Sequence, residues 1–485
     1  MLREIRIPSS IATCDDSSND LEKEGKTQSH NEADTASIHA AAQDWNGPND
    51  PLNPHNWSRW LRIYHTIPPA LFGFAVLHPA VSDVMSIFHV SRTAALIPLT
   101  VYMLGLGFGP VISAPISETH GRKIVYIISF PIFMLFTLGA GFSRNFRSLV
   151  VCRFFAGSFG SPIFGGRWAL ATSMFLMAPF LGPSLGPFIG GFAAQYKGWR
   201  WTQWCMLFIS VPVYLMSIPT KETYKKIILK RRAKKLGIAP PKTTTGTAAV
   251  KSIIIMNFLR PLHMLFTEPV VFFLSLYSAF AFAVLFLFFT VFPFVFQGPP
   301  YSFTTSQVGL TFLAIGLGVG MAGITGIVID RTVYQRHHRE ALGAGYAYAQ
   351  PEHRLYSAMI GSFGIPVGLF WFAWTADKGV GWGTPVVAAI PFAWGNLCLF
   401  ITTALYMVDV YGPLNGASAI AANGIFRYTL GAVFPLFTVQ MYETLGTGWT
   451  TSLLGFLSVL MLRIPWVLYK WGPAIRKRSR YPVMM

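Results

Sequence analysis

Carboxylates are scarce in this chain. Of 485 residues twenty are Asp or Glu, against thirty-eight Lys and Arg, and ten of the twenty precede residue 60. The remaining ten are Asp83, Glu118, Glu222, Glu268, Asp330, Glu340, Glu352, Asp377, Asp409 and Glu443, and none falls in the middle of an apolar run. Charged residues make up 12% of the chain, where soluble domains carry roughly a quarter, which argues against a soluble globular protein. Cysteine is equally sparse. Cys14, Cys152, Cys205 and Cys398 are scattered without metal-ligand spacing, which argues against a disulfide framework or a zinc site. No GxxxxGK[ST] loop is present, so ATP drive is not indicated. The N-terminus lacks a basic-then-apolar leader, and the first apolar run is expected to serve as the insertion signal.

What the chain has in quantity is apolar length: 52% of its residues are hydrophobic. Residues 1–59 are polar and acidic and are expected to form a disordered tail. Twelve apolar runs follow, at about 64–81, 93–115, 124–143, 147–166, 168–194 and 200–219, then 270–296, 308–329, 356–375, 384–408, 415–440 and 449–469. Most reach the ~20 residues that a helix needs to cross ~30 Å of hydrocarbon. The expectation is an all-α integral membrane protein with twelve transmembrane helices in two pseudo-symmetric six-helix bundles, 60–219 and 269–470. A linker at 220–268 joins them, with eleven cations and two acids, and 471–485 forms a tail. The linker, His120–Lys123, the Arg331–Arg354 loop and the Arg476–Arg480 tail are basic, which puts both termini on the cytoplasmic side and the basic surfaces against anionic lipid. The cations flank apolar spans instead of lining one face, so nucleic acid is not the expected partner.

The most specific motif lies between the second and third runs. GPVISAPISETHGRK places Gly109, eight residues, Glu118, two residues, then Gly121, Arg122 and Lys123. An apolar helix ending in an acid, a glycine turn and a restart on two cations suit a membrane surface. This spacing resembles the signature loop of the major facilitator superfamily, and the variant with Pro115, Ser117 and Glu118 looks like its fungal drug:proton antiporter branch. Asp330 and Arg331, after the eighth run, repeat the pattern in degraded form. APFLGPSLGPFIGGF supplies Gly182, Pro183, Gly186, Pro187, Gly190 and Gly191. Small residues four apart let a neighbouring helix approach, and the stretch resembles the motif that marks antiporters. GLGVGMAGITG, from Gly316, offers a matching small-residue face in the other half. Arg153, in VVCRFFAG, resembles an arginine linked to proton coupling, with snorkelling to the interface as the alternative.

Polar groups at depth complete the candidates. Asn396, Asn423 and Arg427 lie inside the tenth and eleventh runs, where they line a cavity or bond across helices. Tyr277, in an aromatic-rich seventh run, is a candidate for a central cavity. His78 carries the only imidazole near helix depth in the first run, with a reference pKa of ~6.5, and is a candidate proton carrier or incidental.

The resemblance covers nearly everything from Asp50 to Tyr481. It implies a non-enzymatic, secondary active exporter of small amphipathic or cationic compounds (drugs, toxins, polyamines), monomeric, in the plasma membrane. It would need no cofactor beyond a proton gradient, with Glu118, Arg122, Asp330 and Arg331 latching the cytoplasmic side. An uptake facilitator or symporter on the same fold is the alternative. So is a transport-impaired paralogue, since the first run is short and interrupted by Pro68 and Pro69 and the fourth and fifth runs are joined almost without a loop.

Overall fold

A computed structural model describes residues 45, 49–58, 60–61, 64–65, 81–161, 172–236, 255–346, 349–378 and 380–482. Among them the chain is helical and contains no strand. Residues 66–80 of the first predicted run and the junction at 162–171 lie outside the described residues. The other eleven runs are helices: α1 (Val81–Phe88) precedes α2 (Arg92–His120), α3 (Arg122–Gly141), α4 (Phe146–Gly160), α5 (Thr172–Lys197) and α6 (Arg200–Ser217). The second half has α9 (Pro269–Phe296), α10 (Thr305–Thr311) with α11 (Leu313–Ile329), α12 (Gln335–Gly343), and α13 (Tyr356–Gly361) with α14 (Gly364–Asp377). It ends in α15 (Gly383–Arg476), which Gly412 (φ 68°) and Gly446 (φ 76°) break into three arms. Those backbone angles are open to glycine and strained for any other residue. Seven of the described helical segments are long and apolar enough to cross a membrane.

The linker and tails are more structured than the sequence suggests. Within the linker, α7 (Lys225–Lys235) and α8 (Arg260–Thr267) are helical. The described residues of 1–57 form one unit with α7. In it Asp50 is buried, accepts a hydrogen bond from the Leu52 amide and pairs with Arg232 at 2.7 Å, while the Lys225 ammonium sits over the Trp45 ring. The reading of 1–59 as one disordered tail therefore stops short of Asp50. The larger unit holds all the spanning helices. At its end the predicted tail from 471 continues as helix to Arg476 and then folds back, the Ser479 hydroxyl and Arg480 amide both donating to Glu268.

Helices in lipid lack a hydrophobic drive to associate, so contact is made where small residues let backbones touch. The α2–α4 seam shows this. Methyl groups placed on Gly105, Gly109 and Gly157 would overlap the carbonyl oxygens of Phe154, Ser158 and Tyr102. The α5 motif performs the same service between halves: Gly191 packs on the Thr305 carbonyl, Gly309 on that of Pro187, and Gly316 on the Ser184 hydroxyl. A second seam joins α2 to the middle arm of α15, where Gly107 meets Tyr428 and the Thr100 hydroxyl donates to the Ala432 carbonyl at 2.9 Å. Replacing Gly157 with Leu should abolish the monodisperse folded peak in detergent size-exclusion chromatography. Gly320→Ala, at a position facing no atom within 4 Å, should leave both peak and melting midpoint unchanged.

Candidate translocation site

The α2–α4 seam carries Arg153 inward. Its side chain is 3% exposed and its guanidinium carbon lies 5.6 Å from the Tyr102 ring centroid. Snorkelling is thus not its arrangement in this state. A guanidinium buried at depth needs electron-rich surroundings, and an aromatic face supplies part of them.

Arg427 is the more unusual group. It occupies the centre of the middle arm of α15, is 7% exposed, and lies over three rings: Phe400 at 4.3 Å, Phe282 at 4.7 Å and Tyr428 at 4.8 Å. Its Nε and Nη1 atoms have no hydrogen-bond partner, and one turn away the Asn423 Nδ2 has none either. Among the described residues no carboxylate pairs with it. Phe180 of α5 reaches across from the first half to lie tilted against Phe400 and meet Phe282 edge-on, so both halves build the cluster. Asn396 and Tyr277 sit apart from it. The Asn396 amide donates to the Ala281 carbonyl at 3.1 Å, which is helix-to-helix bonding, and the Tyr277 hydroxyl points at the Ser362 carbonyl between α13 and α14. His78 lies outside the described residues.

The face bearing the basic loops holds most of the carboxylates that follow residue 60. Gly121 (φ 101°) turns the chain between α2 and α3, and Glu222 caps the restart by accepting from the backbone amides of Arg122, Lys123, Thr223 and Tyr224. An anion at a helix N-terminus meets its unpaired amides and its positive dipole end. The Arg122 guanidinium rests over the Tyr224 ring. In the second half Asp330 pairs with Arg354 at 2.7 Å, while Arg331 is exposed. Arg354 also binds Asp409 at 2.8 Å beneath the Tyr334 ring. Nearby, buried Glu352 pairs with Arg476 and accepts from Tyr406. The hydrogen bonds that join the two halves, among the described residues, lie at mid-depth or toward the opposite face. These are Thr100 to Ala432, the Ser306 amide to Gln195, and the Thr93 hydroxyl against the Gln440 amide at 2.8 Å. Among the described residues the hydrogen bonds between the halves are thus absent from the basic face.

A sequence profile of the Major Facilitator Superfamily matches residues 69–435. The chain belongs to the Major Facilitator Superfamily. It is 37% identical to "Polyamine transporter 4" of Saccharomyces cerevisiae, over 90% of this chain and 73% of that protein. Identity to "MFS-type transporter traF" of Penicillium crustosum is 35%, over 91% and 93%. It is 33% identical to the multidrug transporter FLU1 of Candida albicans, over 91% and 76%. Among solved structures, a proton:xylose symporter bound to 6-bromo-6-deoxy-D-glucose superposes with a TM-score of 0.58 at 15% identity, over 85% of this chain and 95% of that one. This shows the twelve-helix, two-bundle facilitator fold in an integral membrane protein, a secondary transporter by family.

Within that fold the sequence reading missed the partners. Tyr102, Phe180, Phe282, Phe400 and Tyr428 are common aromatics in apolar runs, and their convergence is set by helix packing. Arg354 and Glu222 carried a weak signal, each being charged at the edge of an apolar run. The Glu118 side chain lies outside the described set. Arg354→Gln should lower the thermal midpoint by leaving Asp330 and Asp409 facing one another without a cation. Adding D330N and D409N to that variant should recover most of the loss, and a triple variant no more stable than R354Q would show that the triad is not a charge-balanced unit.

Proposed function

We propose that this facilitator exports small amphipathic compounds by alternating access, drawing on the proton gradient. The observation that carries the proposal is the buried cluster at the seam of the halves, where Phe180 of one half closes on Phe282, Phe400 and Arg427 of the other. A site shared by two rocking bundles is the one place exposed to each side in turn. Export agrees with relatives named as efflux pumps and multidrug or polyamine transporters. It agrees too with the resemblance of Arg153 and the Gly182–Gly191 motif to antiporters.

The basic face is proposed to be cytoplasmic, with both termini there and the plasma membrane as the address. The working unit is a monomer whose partners are the bilayer and a small-molecule substrate. No enzymatic step, cofactor or nucleic acid enters the cycle. Arg122 and Asp330 close the cytoplasmic side in the opposite state, after the far-face contacts at Gln195 and Gln440 release. Arg153, held beside Tyr102, couples proton movement to that exchange.

Proteoliposomes loaded with dye and given an imposed pH gradient test this. Dye should leave the compartment corresponding to cytoplasm only when the gradient is present. Arg153→Gln should lose gradient-driven flux by about a hundredfold while keeping dye-for-dye exchange. Gradient-driven accumulation in the opposite direction would establish uptake instead.

A further inference from the structure

The charge at mid-depth has one sign. All ten carboxylates after residue 60 lie outside the centres of the apolar runs, and residues 66–80 and 162–171 contain none. Those with described side chains cluster at helix ends, as Glu222, Glu268, Glu352 and Asp409 do. Among the described residues the cations buried within the apolar runs are Arg153 and Arg427, both more than nine-tenths buried. Structural pairing does not account for Arg427, because two of its nitrogens donate to nothing and its neighbours are aromatic faces. Asn423, one turn away, holds out a second unused donor. Next to them on the same arm, Gly424 faces no atom within 4 Å, so the helix contributes no side chain there.

Taken with the export reading, on which this rests, the geometry points to an amphipathic organic anion as the cargo. Its carboxylate or phenolate oxygen would be taken by the Arg427 fork and the Asn423 amide, and its flat apolar body by Phe282, Phe400 and Tyr428. The physical case is asymmetric. A guanidinium offers planar, parallel donors that match a carboxylate, and desolvation strengthens that bond. An ammonium brought to the same place meets the like charge of Arg427 and no acid, so a cationic cargo would be repelled at low dielectric. A neutral body of the same shape keeps the ring contacts and loses the charged bond. Recognition of a polyamine, the cargo in one relative's name, calls for acids that this midplane does not contain.

Binding to the detergent-purified full chain separates these cases, using 1-naphthoate, 1-naphthylmethanol and 1-naphthylmethylammonium as matched probes in calorimetry. The expected order is naphthoate tightest by about tenfold over the alcohol, with the ammonium weakest. Arg427→Gln should bring naphthoate to the level of the alcohol and leave the alcohol unchanged, and Arg427→Lys should fall between. Ammonium binding as tight as naphthoate, or a naphthoate affinity untouched in R427Q, would overturn the assignment. If R427Q does not elute as a folded species, the wild-type order together with R427K decides. Flux in proteoliposomes is scored separately. Anion binding without gradient-driven export would sink the export reading and leave this one standing, whereas export of the ammonium probe unaffected by R427K would do the reverse.

Discussion

Helices immersed in hydrocarbon gain nothing from hiding apolar side chains against one another, since lipid is as good a solvent as protein. Association must come from close packing and from polar groups that have no other partner. In this chain the close packing is made by glycine. Gly105, Gly109 and Gly157 press α2 against α4, and Gly191, Gly309 and Gly316 press the halves together along α5 and α10–α11. These seams decide how far every other side chain lies from its neighbours. Arg153 meets Tyr102 because α2 and α4 touch, and Phe180 reaches Phe400 because α5 lies against the second half.

That packing also sorts the charges by depth. The carboxylates on the basic face sit at helix ends, where amides, tyrosine hydroxyls and arginines satisfy them: four backbone amides for Glu222, and Tyr411, Ser479 and the Arg480 amide for Glu268. Burying an acid there is tolerable because each oxygen is bonded. At mid-depth the chain keeps Arg427 among rings, a cheaper arrangement than a bare ion in lipid but one that leaves two of its donors idle. The contrast between well-paired ends and an under-paired centre is what marks the centre as a site for something that moves.

Much of this was legible in the sequence. Twelve apolar runs, the Gly109–Lys123 loop and the Gly182–Gly191 periodicity announced a facilitator, and the second and fifth helices fall where hydropathy placed them. The structure extends α2 to His120 through Pro110 and Pro115, beyond the apolar run, because the helix continues into the polar surface before Gly121 turns it. Arg331 was the apparent cation of the repeated motif, yet Asp330 takes Arg354, twenty-odd residues on, since the start of the next span lies beside it and Arg331 points to solvent. Asn396 and Tyr277 were candidates by depth alone. Depth does not tell which way a side chain faces, and both are used in bonding neighbouring helices.

The one-dimensional pattern determined the solvent of this protein, its spans, its basic face and its family, because periodicity, charge bias and small-residue spacing are local properties that lipid reads directly. Only the tertiary structure decided that Arg427 lies in a ring of aromatics drawn from three helices and that Thr93, Gln195 and Thr100 bond across to the second half. Those depend on which helices touch and at what register, and contacts between residues more than a hundred positions apart leave no local trace in the chain.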